Sequence, residues 1–310
     1  MSNLPLLSSL QMARFAARGF LRFDAAVPDD INGQFLAEAG QMGGAEDGRS
    51  LRRVYGEALA GNAIPEVAAG TPLEGAYAAG SAVARLLDLP LVRGTLKSLL
   101  GDAPVFDHHF LHVTFPPRYH AGGASVSQHT HQDSTIDPRT AFDVQLMYYP
   151  HDVTREMGGT RFIPGTHLRK VSEVAVGRYQ NIRGQQHMVC AAGTLLFLHH
   201  GIWHGGGANL SERTRYMFKI RMHASGDQRR QWDVSDMTTP DRQRPIFYLK
   251  STPTPDTVES ILTTPEPWFE QDTGRLEYVN RIRLWRYLTG DPTYDADYWL
   301  TRLENDNRRV

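Results

Sequence analysis

The chain has 310 residues, of which 41% are hydrophobic and 22% are charged, and its 33 Lys and Arg nearly cancel its 34 Asp and Glu to give a net charge of -1. This balance excludes the strong positive field that steers proteins onto nucleic acid or anionic membranes. The single cysteine, Cys190, excludes an internal disulfide and a zinc site built from several cysteines. No apolar run approaches the about 18 residues of a spanning helix, so we expect neither a nucleic-acid nor a membrane partner.

The first 23 residues contain no Asp or Glu but several Arg and Ser, a composition that resembles a mitochondrial transit peptide. We favour a folded helix, because Ser9 can cap it, Met12 and Phe15 share one face, and Gly19 can end it. A short strand is predicted over residues 20–23. No secretory leader is visible, so the expected location is the cytoplasm.

Residues 28–100 are predicted to be mostly helical. A capping box with Pro at the first helical position predicts a helix that starts at Thr71. Apolar residues then recur at helical spacing until Pro90, and a second short helix is predicted over 91–100, ending at Gly101.

Residues 105–223 have the character of an antiparallel sandwich or barrel, because short runs with strand periodicity are separated by Gly and Pro clusters. The predicted strands are 109–115, 142–149, 160–163, 194–198 and 213–222.

The last of these strands has two unlike faces. One face carries Arg213, Arg215, Met217, Lys219 and Arg221, and the other carries Thr214, Tyr216, Phe218, Ile220 and Met222. A polar cavity inside a barrel, with helices over the apolar face, explains this pattern, and so does a half-solvated sheet. Periodicity alone does not choose between them.

Residues 224–310 form a region punctuated by Pro, with a helix predicted near 276–289 and a last helix over 294–303. Its Arg residues fit either a solvated face or a contact with the main domain. The region fits a lid, an oligomer contact or a second small core.

All 13 His lie between His108 and His223, and the most specific pattern among them is His131-Gln132-Asp133. Residues two apart on an extended segment point the same way, so His131 and Asp133 can present an imidazole and a carboxylate to one metal ion. Two His and one carboxylate on one face of an octahedral ion leave three open positions, which is typical of non-haem Fe(II) oxygenases. A single His-x-Asp is weak, because it arises often by chance.

A third ligand is available at His204. His200 and His204 have the spacing of a zinc pair on a helix, but the surrounding Gly residues argue against a helix there. We expect His204 at a strand end, where Gly lets a metal or substrate approach closely. His199 and His200 are interpreted as ordinary polar lining.

Arg215 lies eleven residues further on, on the cationic face of its strand. A guanidinium inside a cavity needs an anionic partner, and its planar fork suits two-point capture of a ligand carboxylate. Arg213 has the same strand parity, and a simple salt bridge to Glu212 or Asp137 is the alternative.

Three segments in this order resemble the phytanoyl-CoA dioxygenase family of iron- and 2-oxoglutarate-dependent oxygenases: LHVTFPPRYHAGGASVSQHTHQD, VTREMGGTRFIPGTH and GTLLFLHHGIWHGGGANLSERTR. The resemblance covers about 105–223 and, more loosely, the helical N-terminal part. It implies a fold that is mainly β with flanking helices: a double-stranded β-helix, or cupin-like jelly-roll, with N-terminal and C-terminal helices. We expect one domain over 1–310, with a helical part at 1–104, a catalytic core at about 105–223 and an extension at 224–310.

The same resemblance implies a set of site residues. His131, Asp133 and His204 would be the ligands of Fe(II), and Arg215 would pair with the distal carboxylate of 2-oxoglutarate, with O2 as the other cosubstrate. His167, which follows the Pro-Gly bend in the Pro-Gly-Thr-His element, is interpreted as a structural hydrogen-bonder rather than a ligand.

Gln128 and Thr160 match family positions that often hydrogen-bond the cosubstrate. A loop amide and an ordinary strand residue are the alternatives. Two departures from the family matter: Phe115 stands before the Pro-Pro where many members carry a Lys or aromatic nearby, which puts a second cationic contact in doubt, and Gly205 with Gly206 removes a hydroxyl contact.

The leading hypothesis is an Fe(II)/2-oxoglutarate-dependent dioxygenase that hydroxylates an aliphatic carbon of a small molecule, with release of succinate and CO2. Asp133 favours hydroxylation, because related halogenases have Ala or Gly there. His129 and Gln132 are candidates for groups that orient the ligands. The alternatives are a cupin-like metal-dependent isomerase or hydrolase, which has no need for Arg215, and a non-catalytic barrel that binds a metal or ligand.

The substrate is not identified by the sequence. Basic residues around the motifs (Arg139, Arg161, Arg169, Lys170 and Arg183) fit recognition of an anionic substrate group. Surface solvation explains them at least as well.

Overall fold

The computed structural model describes residues 4–40, 66–120, 126–133, 143–169, 176–177, 181–226, 231–237, 257–268 and 274–290. The helices of this part of the chain are α1 (Ser9–Arg18), α2 (Asp29–Gly40), α3 (Ala82–Leu87), α4 (Pro90–Leu100), α5 (Val258–Thr263) and α6 (Gly274–Thr289). The strands are β1 (Phe20–Phe23), β2 (Val105–Thr114), β3 (Asp143–Tyr149), β4 (Thr160–Ile163), β5 (Gln186–His187), β6 (Thr194–His199), β7 (Trp203–Gly206) and β8 (Arg215–His223). None of these helices has the length and apolar character needed to span a membrane.

The N-terminal segment is the folded helix that the sequence predicts, followed by the predicted strand. Met12 and Phe15 are fully buried, and Gly19 ends α1 in the left-handed conformation. The capping residue is Ser8 rather than Ser9. The Ser8 side chain accepts a hydrogen bond from Gln11 N, and the Gln11 side chain accepts one from Ser8 N.

The helix predicted to start at Thr71 does not form. The backbone there pairs with the chain that enters β2: Phe106 N donates to Thr71 O at 2.9 Å, and Leu73 N donates to Pro104 O at 3.0 Å. Residues 71–73 are therefore held extended, and the next helix, α3, begins only after its Ser81 cap. The second predicted helix is confirmed as α4.

The strands form two antiparallel sheets, one of five strands in the order β1-β6-β3-β8-β2 and one of three strands in the order β5-β4-β7. Met147 and Leu196 of the large sheet meet Phe162 of the small sheet in one apolar cluster, so the sheets pack face to face. The fold is mainly β with flanking helices around a jelly-roll core, as expected, and the two sheets do not close into one barrel. The five predicted strands correspond to β2, β3, β4, β6 and β8. The two-residue β5 is too short to show periodicity, and β7 was not predicted as a strand because two of its four residues are Gly.

The surroundings of β8 decide between the two interpretations of its unlike faces. Phe218 and Ile220 belong to the large apolar cluster under the helices, where Phe218 lies 5.6 Å from the ring of Phe35 in α2. Arg215 and Lys219, on the other face, line a cavity. The first interpretation is therefore confirmed for the cavity on one face and the helices over the other, although the sheets do not close into a barrel.

The described C-terminal residues pack on the N-terminal helix. Trp232, Ile282 and Trp285 belong to the same apolar cluster as Phe15 of α1. The single-domain organisation stays a prediction. The helix predicted near 276–289 is confirmed as α6, and the one predicted over 294–303 lies outside the described residues.

Arg281 of α6 is buried, so it does not lie on a solvated face, and its hydrogen bonds to the Leu262 and Thr264 carbonyls stay within the C-terminal region. Its side chain is 0% exposed and donates to the Leu262 carbonyl at 3.1 Å and the Thr264 carbonyl at 2.6 Å. A guanidinium thereby satisfies carbonyls at the end of α5.

We predict that Gly19→Ala destabilises the protein by more than about 1 kcal/mol, because a left-handed φ of 76° strains any residue with a Cβ. The new methyl would also lie 2.6 Å from His167 Nδ1. Gly33→Ala in α2 is the control, since nothing lies within 4 Å of its Cβ position, and it should stabilise by roughly 0.5–1 kcal/mol. Urea unfolding measures both, and equal effects of the two substitutions would contradict the prediction.

Candidate metal centre

Two histidines face each other across an antiparallel bridge between residue 131 and β7. His131 N donates to His204 O and His204 N donates to His131 O, both at 2.9 Å. Residues directly opposite in such a pair project to the same side. The two rings therefore lie side by side, with centroids 4.5 Å apart.

Asp133 completes the group. It lies two residues beyond His131 on the same side of the extended segment, with Oδ1 3.3 Å from His131 Nε2 and Oδ2 3.7 Å from His204 Nε2. One ligand atom from each residue lies within 4.8 Å of the others. The structure thus brings together the three residues that the sequence suggested, in a donor set that suits a divalent transition metal.

The protonation pattern of both imidazoles favours metal binding through Nε2. His131 Nδ1 lies 2.9 Å from the carbonyl of His129, and His204 Nδ1 lies 3.0 Å from the carbonyl of Ile202. Because a carbonyl only accepts, each Nδ1 carries a hydrogen, so Nε2 is the nitrogen that a metal would bind. On His131 the metal would replace the contact of Nε2 with Asp133 Oδ1. His129, proposed to orient the ligands, does so through its backbone, since its side chain is exposed.

Burial and neighbouring charges set the ionisation of the group. Burial lowers the pKa of His204 to about 4, so this imidazole is neutral at pH 7. Burial alone would raise the pKa of Asp133, but the hydrogen bond with His131 and the ammonium group of Lys219 outweigh it, and the pKa lies well below its usual range. The centre therefore contains a neutral imidazole and an ionised carboxylate before any metal binds.

A cavity of about 420 Å³ opens beside these residues. Its lining includes every site residue that the sequence suggested: Gln128, His131, Asp133, Thr160, His204 and Arg215. Phe110, Met147 and Met217 add apolar surface, and Lys219 adds a second cation. The described members of the basic group noted in the sequence, Arg161, Arg169 and Arg183, are not among the lining residues.

Arg215 is a buried cation that has no carboxylate partner among the described residues. It is 5% exposed and donates to the Met157 carbonyl at 2.8 Å and to Thr114 Oγ1 at 2.8 Å, and no carboxylate of the described chain pairs with it. Arg213 is exposed and lies outside the cavity lining, while Glu212 pairs with Arg118 at 2.8 Å. Among the described residues, Arg215 thus carries a buried positive charge towards the cavity without a carboxylate partner, and Asp137, the other partner suggested by the sequence, lies outside them.

Gln128 and Thr160 line the cavity while making protein contacts. Gln128 Oε1 accepts from Gly206 N at 3.0 Å, and Thr160 Oγ1 accepts from the Tyr149 hydroxyl at 2.9 Å. The absence of a side chain at Gly205 permits this arrangement, because a Cβ there would lie 2.9 Å from the His129 carbonyl oxygen. The cosubstrate roles of Gln128 and Thr160 stay predictions.

Lys219 and Gln145 contact the centre and were not among the predicted site residues. Lys219 Nζ lies 3.0 Å from Asp133 Oδ2, and Gln145 Nε2 donates to the same oxygen. Lys219 shares strand parity with Arg215, a pattern that could have indicated it. Nothing in the sequence around Gln145 indicates its role.

His199 and His200 were expected as polar lining, and this expectation is wrong. Both are 0% exposed and stack on each other with centroids 4.5 Å apart, away from the cavity lining. His167 is a structural hydrogen-bonder, as expected, with Nε2 3.1 Å from the Ala16 carbonyl.

The family model described as Phytanoyl-CoA dioxygenase (PhyH) matches residues 15–217. The chain belongs to the PhyH family. Comparison with the curated proteins finds no match.

Solved structures with the PhyH-type fold include apo EctD from S. alaskensis, which is 16% identical, with 72% of this chain and 79% of that chain covered and a TM-score of 0.50. EvdMO1 is 18% identical, with 70% and 50% covered and a TM-score of 0.50. The epimerase SnoN, solved with Fe3+, alpha ketoglutarate and nogalamycin RO, is 17% identical, with 69% and 82% covered and a TM-score of 0.45. At these identities the likeness to EctD and EvdMO1 shows the fold alone, and the likeness to SnoN supports no argument.

We predict that the metal-free protein loses stability as the pH falls from about 6.5 to about 4. Burial lowers the pKa of several imidazoles, among them His109, His112 and His204, each to about 4, and His167, to about 3. In this window the unfolded chain binds more protons than the folded chain, so the free energy of unfolding falls as the pH falls.

Urea unfolding with EDTA at several pH values measures this slope. His112→Asn should flatten it, by up to about 1.4 kcal/mol per pH unit, whereas Met217→Leu, at the cross-strand partner position of His112, should leave it unchanged. A slope that His112→Asn does not alter would contradict the prediction.

Proposed function

We propose that the chain is an Fe(II)- and 2-oxoglutarate-dependent dioxygenase that hydroxylates an aliphatic carbon of a small molecule, releasing succinate and CO2. The observation that carries the proposal is a cavity that contains both the His131, Asp133 and His204 group and the buried Arg215, which has no carboxylate partner among the described residues. A metal centre explains the first feature, and a dianionic cosubstrate explains the second.

The donor set fits Fe(II). His131 Nε2, His204 Nε2 and an Asp133 oxygen would hold the ion, and both imidazoles are oriented by carbonyls that fix Nδ1 as the protonated nitrogen. When bound, iron with 2-oxoglutarate supplies the activation of O2 that C–H oxidation requires. The chain contributes the orientation of the ligands and a cavity that limits the access of water.

Arg215 would bind the distal carboxylate of 2-oxoglutarate. Its contacts within the described chain are neutral, so a carboxylate would supply the charge that burial otherwise leaves uncompensated. Thr160 accepts from Tyr149, which leaves the Thr160 hydroxyl hydrogen available to donate to the same ligand. Gln128 lines the same cavity and would be a further polar contact.

Asp133 favours hydroxylation over halogenation. Related halogenases have Ala or Gly at this position, which lets chloride bind the metal in place of the carboxylate. Arg215 disfavours the cupin-like metal-dependent isomerase or hydrolase, which needs no cation there. Oxygen-dependent succinate formation separates the proposed enzyme from that class and from a non-catalytic barrel. No succinate across a broad substrate panel with Fe(II) and 2-oxoglutarate would refute the proposed activity.

The charge of the cavity supports a small-molecule substrate with an anionic group. Among the described lining residues, Arg215 and Lys219 are the cations and Asp133 is the carboxylate, so this part of the lining has one positive charge in excess. A divalent metal and a dianionic cosubstrate cancel each other, and the excess persists in the loaded site. A cytoplasmic location stays a prediction from the sequence.

We predict that His131→Ala abolishes binding of Fe(II) with 2-oxoglutarate and therefore turnover, because it removes one of three metal ligands. Anaerobic titration of Fe(II) and 2-oxoglutarate, followed through the weak visible charge-transfer band of the chelate, needs no knowledge of the substrate. The control is His129→Ala, whose side chain is exposed and lies outside the candidate group. A His131→Ala protein with an undiminished band would show that the ligand assignment is wrong.

We predict that Arg215→Ala raises the Kd of 2-oxoglutarate by about tenfold or more, because hydrogen bonds to charged groups contribute roughly 1.5–3 kcal/mol. Fe(II) affinity should change little, since Arg215 makes no contact with the three ligands. Arg213→Ala removes an exposed cation two residues earlier and should leave the Kd unchanged. The same titration gives the Kd of 2-oxoglutarate and that of Fe(II). An equal change in the Kd of 2-oxoglutarate for the Arg215 and Arg213 variants would argue against an anion site at Arg215.

A further inference from the structure

We propose that Gln145 and Lys219 are positioning residues that hold Asp133 so that only one of its carboxylate oxygens is available to the metal. The inference rests on the proposed function, because it concerns how the same three ligands keep coordination positions open for the cosubstrates.

Both residues project from the large sheet onto one atom. Gln145 lies on β3 and Lys219 on the adjacent β8, where the register pairs Gln145 with Arg221 and Met147 with Lys219. Gln145 and Lys219 are therefore diagonal neighbours on the inward face. Gln145 Nε2 and Lys219 Nζ, the latter at 3.0 Å, both donate to Asp133 Oδ2.

Two donors occupy the acceptor capacity of Oδ2, because a carboxylate oxygen has two lone-pair sites. Oδ1 has neither donor and lies 3.3 Å from His131 Nε2. The oxygen left for a metal is therefore Oδ1. A carboxylate bound through both oxygens would occupy a fourth position of an octahedral ion and leave two, too few for a bidentate keto acid and O2.

The surroundings of the two donors keep them in place. Gln145 is 0% exposed, and the Lys219 side chain is 8% exposed with its ammonium 5.6 Å from the centre of the Phe110 ring. The next inward cation of β8, Arg221, has its own carboxylate, Asp143, at 2.6 Å. Each of the two cations therefore has its own carboxylate partner: Arg221 pairs with Asp143, and Lys219 pairs with Asp133.

The test counts open metal positions with Mn(II) alone, through the water-proton relaxation that metal-bound water produces. The wild-type chain should hold about three exchangeable waters on bound Mn(II), since an octahedral ion with three protein ligands has three positions left. Gln145→Met and Lys219→Met remove a donor at similar length, and the double variant removes both. We expect relaxation per bound Mn(II) to fall by about one third in the double variant and by less in each single variant.

Matched variants separate positioning from charge and from folding. Lys219→Arg keeps a donor and should retain the wild-type relaxation, as should Met217→Leu, which alters the same cavity wall without a polar contact to Asp133. Because Gln145 is neutral, a change in Gln145→Met cannot arise from lost charge. Thermal unfolding of each variant identifies any that do not fold, and the single variants then carry the test.

Wild-type relaxation in the folded double variant would overturn the proposal, and so would an effect confined to Lys219→Met. If the metal alone behaves as expected but wild-type protein with Fe(II) and 2-oxoglutarate gives no charge-transfer band, the proposed function fails while the positioning of Asp133 stands.

Discussion

The pair of backbone hydrogen bonds between His131 and His204 is the constraint on which the site depends. These residues are far apart in the chain, and their two 2.9 Å bonds place one imidazole beside the other. The same extended geometry puts Asp133 on the side of His131. A shift of one residue in this register would turn the ligands to the opposite face, so the metal centre exists only in this pairing.

The inward face of β8 shows how the fold accommodates buried charge. Arg221 has Asp143, Lys219 has Asp133, and Arg215 has neutral partners among the described residues. A buried cation without a counter-charge is costly unless a ligand supplies one. With no counter-charge for Arg215 among the described residues, the cavity favours an anion, and the same cavity contains the residues that would hold the metal.

Local patterns were sufficient to predict much of this arrangement. Alternation along β8 indicated a strand with a polar and an apolar face, and the spacing of His131 and Asp133 indicated a shared side. Prediction failed where distant pairing decides the outcome. The capping box at Thr71 does not start a helix, because the Thr71 backbone is hydrogen-bonded to Phe106. Lys219 and Asp133 are in contact although they lie 86 positions apart in the chain. Sequence spacing contains no information about such contacts.

The helices make the polar interior possible by covering the other face of the same sheet. Phe218 and Ile220 alternate with Lys219 along β8 and pack in the cluster that includes Phe15, Phe35 and residues of α6. Because successive side chains of a strand point to opposite faces, apolar burial on one side anchors the strand that carries charge on the other. Removing the helical layer would expose this apolar face and loosen β3 and β8 together, and with them both donors to Asp133. The N-terminal and C-terminal helices therefore act on the metal centre through the sheet, without touching a ligand.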